Sequence, residues 1–251
     1  MALTAIIDII IDNDKTIEMQ SAQVRSMAYF SPRPTVTKPP KASVAFNALK
    51  RDIMLGNLAA GTGLTELELA AYFQCSQGTV REALLQLQEE GLVRRQGHRG
   101  TQVSECTADE AVEMFRLRTH IECSGLPRTM RSPGKALIAD LNAMLDDMVA
   151  AAESDDELHL AAIDRDFHRR ILEAADLPAL DPILHRCLVH NHRFKISRSR
   201  SARDLRATAL RHRSIIDAIE SGDIANATAV MRHHIATIVD LGPDVFPDAN
   251  Q

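Results

Sequence analysis

The chain has 251 residues, with 29 Lys and Arg against 34 Asp and Glu, a formal net charge of −5, 45% hydrophobic residues and no Trp. That composition is ordinary for one large or two small folded domains, and it excludes a collagen-like, coiled-coil or mainly disordered chain. No apolar run approaches the ~18–20 residues of a membrane span, and Ala5–Ile11 contains Asp8 and lacks the flanks of a signal peptide, so no leader or anchor is expected and the chain is placed in the cytoplasm.

Residues 1–42 read as a mobile N-terminal arm, because Pro32, Pro34, Pro39 and Pro40 break any helix. Val44, Leu49 and Ile53 then recur at helical spacing and stop near Gly56. Thr65 and Glu68 form a capping box ahead of Leu69, Ala70 and Phe73. Ser76 caps a third helix with Val80, Ala83, Leu84 and Leu87, ended by Gly91. Residues 92–103 read as two short strands around a Gly-bounded turn. Three helices and a hairpin over residues 43–104 predict a winged helix-turn-helix.

Beyond it the pattern is helical. Thr107 and Glu110 form a second capping box and open a helix that should end near Leu126, before Pro127. Further helices are expected near 134–153, 156–175, 181–198, 203–220 and 223–241. Residues 105–243 are therefore predicted to be an all-α bundle of six to seven helices, with 244–251 a tail. The fold class is mainly α. Cys75, Cys106, Cys123 and Cys187 are scattered without a CxxC pair, and reduced thiols are expected.

The second helix of a helix-turn-helix offers its N-terminal residues to the major groove. Here those are Ser76, Gln77, Gly78, Thr79 and Arg81. Hydroxyls and helix-terminal N–H groups suit phosphate, Gln suits adenine, and Arg suits guanine. His98 and Arg99 in the wing turn are placed to reach a phosphate or a minor groove. Segment 43–104 is neutral overall, but Arg81, Arg94, Arg95 and Arg99 gather at the third helix and the wing. The alternative at this point is a winged helix that binds another protein, with Arg81 paired to a nearby carboxylate.

A second constellation lies in the helical part. Asp164 and His168 are four residues apart and share a face with Ala161, Ile171 and Leu172. His212 centres the stripe Leu205, Ala209, Ile215, Ile216 and Ile219. His234 borders the stripe Ile224, Ala227, Met231, Ile235 and Ile238, whereas His233 falls on the polar side. Three inward His and one inward Asp are costly to bury unpartnered. One transition metal (Zn²⁺, Ni²⁺, Mn²⁺ or Fe²⁺, with Zn²⁺ placed first) would satisfy all four and leave positions for a ligand. The alternative is four ordinary core residues with separate partners. Arg118 shares a stripe with Phe115 and Ile121 and would either bind a carboxylate ligand or pair with Glu122. Asn191 and Lys195, on the face of Leu184 and Leu188, are candidates for further ligand contacts or for the rim.

Ala59–Ala70, Thr79 to Leu84 with Arg81, Glu90 to Val93, and Arg99 to Thr101 together resemble the GntR family of bacterial transcription regulators. The resemblance implies that Arg81 contacts DNA near the operator centre. Leu67 and Gln77 stand where the family often or usually has Arg, and Gly78-Thr79 replaces the common Thr-Pro. Leu117-Arg118 with Glu122, Asp164 with Phe167-His168, His212 with Ile215 and Ile219, and Met231 with His234-Ile235 resemble the FCD-type effector domain of the FadR subfamily. That resemblance implies a metal on Asp164, His168, His212 and His234, with a small organic acid against it and against Arg118. It also implies a homodimeric, metabolite-responsive regulator that binds a pseudo-palindromic operator, with repression the commoner outcome, and no enzymatic activity. The rival readings are a metalloenzyme using a three-His, one-Asp site and a winged-helix interaction protein that binds no DNA.

Overall fold

The computed structural model describes residues 40–97, 100–131, 133–198 and 204–237. Helix α1, Lys41–Met54, buries Ala45, Leu49 and Ile53 along one stripe and leaves Val44 exposed. It begins inside the stretch read as an arm. Pro40 precedes it, where a fixed φ does not obstruct the turns that follow. The remainder of that arm, and the tail from 244, lie outside the described residues.

Helix α2 is Glu66–Tyr72 and α3 is Gln77–Glu89. Thr65 accepts the Glu68 N–H, but the Glu68 carboxylate meets the Thr65 hydroxyl instead of its backbone, so this box is half closed. Ser76 Oγ accepts the Thr79 N–H at 3.1 Å and fixes the start of α3. Strands β2, Val93–Arg95, and β3, Thr101–Val103, form the expected antiparallel hairpin with Val93 opposite Val103 and Arg95 opposite Thr101. Strand β1, Gly63–Leu64, pairs with the other edge of β3. Two residues carry too little alternation to be predicted; their pairing is set by β3.

Helix α4, Ala108–Thr129, starts with a complete capping box between Thr107 and Glu110. It runs through Pro127 instead of ending before it. In the last turn the missing N–H removes one bond, and Met130 N–H still closes onto the Leu126 carbonyl at 2.9 Å. Helices α5, Lys135–Glu153, α6, Glu157–Glu173, and α7, Asp181–Arg198, follow, with a 3₁₀ turn at Pro178–Leu180. The single helix expected over 203–220 is two, α8, Leu205–Leu210, and α9, Arg213–Ser221. The break is a tightened turn in which the His212 N–H bonds Ala209 O at 3.1 Å. Helix α10, Ile224–Thr237, closes the bundle after Gly222, whose φ of +75° is the left-handed stop.

Two cores result. Leu49, Ile53, Leu84, Leu87, Leu92, Val93 and Val103 fill the winged segment, joined by Val189 of α7. Phe115, Leu141, Leu145, Phe167, Ile216, Ile219, Met231 and Ile235 fill the bundle. From Pro40 onward the packing is continuous. No described helix is long and apolar enough to cross a membrane.

Candidate functional site

Asp164 and His168 come from α6, His212 from the α8–α9 break and His234 from α10. All four side chains are buried, and one ligand atom from each lies within 4.8 Å of the others. His234 points inward, while His233 is exposed. The imidazoles crowd one another, with ring centroids 4.5 Å apart for His212 and His234 and 5.2 Å for His168 and His234.

Hydrogen bonding fixes two of the tautomers. His168 Nδ1 lies 2.5 Å from Glu122 Oε2, and His212 Nδ1 lies 3.0 Å from the Ala209 carbonyl. Carboxylates and carbonyls only accept, so both Nδ1 atoms carry the proton and both Nε2 atoms present a lone pair. Those Nε2 atoms, both nitrogens of His234 and Asp164 Oδ2 are buried without a hydrogen-bond partner. His212 Nε2 is only 3.1 Å from Asp164 Oδ1, yet the pair is not aligned as a hydrogen bond. The broken helix matters here, because the tightened turn gives His212 its carbonyl partner.

Electrostatics favour the metal-binding forms of His168, His234 and Asp164. Burial first, with Arg118 adding to it, lowers the His168 ring, and burial with the neighbouring His212 and His168 lowers His234 well below its ordinary value. Burial opposes ionisation of Asp164, but His192 beside it outweighs burial and holds the carboxyl well below its ordinary range. Neutral imidazoles and an ionised carboxylate are the forms that ligate Zn²⁺, Ni²⁺, Mn²⁺ or Fe²⁺. Bonds of about 2.1 Å put ligand atoms about 3.4 Å apart at a tetrahedral ion and at most about 4.2 Å apart in any geometry, so the widest pair, within 4.8 Å, would close by about 0.6–1.4 Å. The donor set fits the cation.

Arg118 and Glu122 sit behind the cluster. Arg118 is fully buried and donates Nε to Glu122 Oε1 at 2.6 Å, while Nη1 and Nη2 have no partner. Burial raises the Glu122 carboxyl, but His168 and Arg118 more than reverse this. Asn191 is buried with both amide atoms unpartnered, and Lys195 is half-buried with its ammonium disfavoured by desolvation. The Arg118–Glu122 pair and the free Arg118 fork therefore coexist. Glu122 as the anchor of His168 and His192 as a neighbour of Asp164 were not foreseen. His192 lies four residues after Leu188 and three before Lys195, which already placed it on the inward face.

The other predicted site is at the surface. Ser76, Gln77 and Arg81 are exposed at the start of α3, and Thr79 is half-buried with its hydroxyl 2.9 Å from Ser76 Oγ. Arg81 forks onto Glu66 through Nε at 3.0 Å and Nη2 at 2.6 Å, and Arg95 reaches the same carboxylate at 3.4 Å. His98 and Arg99 lie outside the described residues.

Residues 41–103 match the profile of "Bacterial regulatory proteins, gntR family", and residues 113–237 match that of the FCD domain. The HTH-type transcriptional regulator BphR of Paraburkholderia xenovorans is 26% identical over 86% of this chain and 91% of that protein. A probable D-xylose utilization operon transcriptional repressor of Paenarthrobacter nicotinovorans is 28% identical over 80% of this chain and 88% of its own. Among solved structures, E. coli McbR/YncC superposes with a TM-score of 0.63 at 20% identity, covering 81% of this chain and 98% of that one. A GntR regulator from Rhodococcus sp. RHA1 gives 0.60 at 22%, covering 80% and 99%.

Proposed function

The chain belongs to the GntR family of bacterial transcriptional regulators and carries an FCD domain, and from that premise we propose that it is a metal-dependent, metabolite-responsive repressor. Residues 43–104 form the DNA-reading part and 105–243 the effector-binding part. The relatives are regulators, not enzymes, so the buried cluster is read as a binding site. One observation carries this reading: three imidazoles and one carboxylate converge in the core with their lone pairs unpaired.

Asp164, His168, His212 and His234 hold a divalent transition metal, with Zn²⁺ placed first. Glu122 and the Ala209 carbonyl keep two of the imidazoles turned toward it. The metal supplies a Lewis-acidic point for an anionic oxygen. Arg118, with two free guanidinium nitrogens, receives a carboxylate, and Asn191 and Lys195 contact the rest of a small organic acid.

Ser76, Gln77, Thr79 and Arg81 of α3, with His98 and Arg99 of the wing, read one half-site in cytoplasmic DNA. A homodimer then reads a pseudo-palindrome. Repression is supported by the name of the D-xylose relative. The effector alters DNA binding to the extent that it binds the two arrangements of the dimer unequally.

The experiment is an electrophoretic mobility shift on the DNA upstream of the protein's own reading frame, using metal-loaded and metal-stripped protein. A discrete shift that Arg81→Ala removes is expected. No protected site there or at neighbouring promoters, or equal binding by Arg81→Ala, contradicts the DNA assignment.

A further inference from the structure

Asp164 has a neighbour outside the donor set. His192 of α7 is buried and places Nε2 3.1 Å from Asp164 Oδ2, a close approach that is not aligned as a hydrogen bond. Its Nδ1 lies 3.3 Å from Nη1 of Arg165. A guanidinium only donates, so Nδ1 accepts and the ring proton sits on Nε2, on the side of Asp164. Arg165 is itself buried, although it is charged. Two buried carboxylates concern it: Asp164, its neighbour in the chain, and Glu90, the partner of Lys50.

Those two carboxylates belong to different parts of the molecule. Arg165 borders a cavity of about 930 Å³ that Asn47, Lys50 and Arg51 of α1 also line. Lys50 Nζ pairs with Glu90 Oε1 at 2.6 Å, and His185 of α7 reaches the same oxygen at 3.0 Å. Glu90 is the C-cap of α3, the helix that carries the DNA-reading residues. A line of charged and polar groups thus runs from Asp164 through His192 and Arg165, across the cavity, to Lys50 and the end of α3.

Apolar packing makes the same connection. Val189 of α7 belongs to the winged-helix core, and Leu158 and Ile196 pack onto it. Leu188, the adjacent residue, belongs to the cluster with Ile121 and Leu172 on the side of the candidate metal site. A displacement of α7 at one face therefore cannot be confined to that face in a close-packed interior.

We propose that Arg165 and His192 are positioning residues that carry the ligation state of Asp164 to α1 and to the C-terminal end of α3. The proposal rests on the metal reading above. While Asp164 has no cation, its full negative charge draws the His192 proton and the Arg165 guanidinium toward α6. Once Asp164 is ligated, that attraction weakens. Arg165 then shifts toward the cavity, where its positive charge bears on Lys50 and loosens the Lys50–Glu90 pair at the cap of α3.

The probe is Zn²⁺ alone, added to metal-stripped full-length protein. Affinity is read by chelator competition, and backbone hydrogen exchange is read over residues 41–54 and 84–92. Zn²⁺ is expected to change exchange in both segments of the wild type by about threefold or more. Arg165→Met is expected to keep Zn²⁺ affinity and lose the remote change, and Arg165→Lys to restore part of it. His192→Gln is expected to weaken Zn²⁺ binding by about tenfold and also lose the remote change. A wild-type-sized remote response in Arg165→Met overturns the proposal. Should that variant not fold, the same response in His192→Gln at saturating Zn²⁺ overturns it. Zn²⁺ binding by the wild type with no change at 41–54 or 84–92 also overturns it and leaves the metal reading standing. No Zn²⁺ binding at all overturns the metal reading, and this proposal with it.

Discussion

Two Arg–Glu pairs of this molecule have opposite consequences. Arg118 and Glu122 meet at 2.6 Å with both side chains essentially inaccessible, at 0% and 2% exposure. Arg81 and Glu66 meet at the same 2.6 Å, but at 53% and 22%. Water decides what each pair does. The buried pair fixes the geometry of a histidine and a guanidinium that have nowhere else to go. The exposed pair contributes little to stability, because solvent screens it, and in the proposed reading Arg81 exchanges it for DNA phosphate.

The sharpest way to break the comparison is to remove one partner from each pair. Glu122→Ala leaves Arg118 and His168 buried beside each other without a counter-charge. It is expected to lower unfolding free energy by about 3–5 kcal/mol in urea titration. A loss no larger than that of a surface substitution would show that the buried pair is not structural. Arg81→Ala is expected to leave stability close to that of the wild type in the same titration. It should nevertheless weaken specific DNA binding by about 5- to 150-fold, the range of 1–3 kcal/mol, and flatten the salt dependence. Glu66→Gln, which frees Arg81, should strengthen binding at low salt; weaker binding would show that Glu66 presents Arg81 and does not compete with DNA.

Acid separates the two regions further. Burial holds His190 down to about 4, from an ordinary value near 6.5. Between those values the unfolded chain binds a proton that the folded chain refuses. The associated stability is complete above about pH 6.5 and is lost as pH falls toward 4. His190→Gln is expected to make this decline shallower in metal-stripped protein, whereas substitutions at exposed Arg81 should leave it unchanged. An unaltered pH profile in His190→Gln would place the acid sensitivity elsewhere. The smallest effect is expected at the start of α3, where Ser76→Ala removes the bond to the Thr79 N–H and should cost about 1 kcal/mol of stability.

Much of this was readable in the residues. The alternation and Gly-bounded turn of 92–103 announced the wing, and the apolar stripes around His212 and His234 announced which histidines face inward. The reading failed where tertiary context overrides local signals. Pro127 marks a helix end in isolation, but the packed last turn of α4 tolerates it. Nothing in the stripe Leu205–Ile219 betrays the tightened turn at Arg211–His212, because both residues keep right-handed helical angles there. Glu122 was weighed only as a partner for Arg118; its bond to His168, forty-six residues away, is a product of how α4 and α6 pack. His192, three residues before Lys195, is brought beside Asp164 only by the packing of α6 against α7.

The central claim is that the four converging side chains hold a metal. Calorimetric titration of metal-stripped protein with Zn²⁺, on the wild type and on His212→Ala in parallel, tests it most directly. The expected result is one tightly bound ion per chain in the wild type and loss of that binding in His212→Ala, with the fold of the variant intact by circular dichroism. Equal Zn²⁺ binding by the two proteins, or none by either, would contradict it.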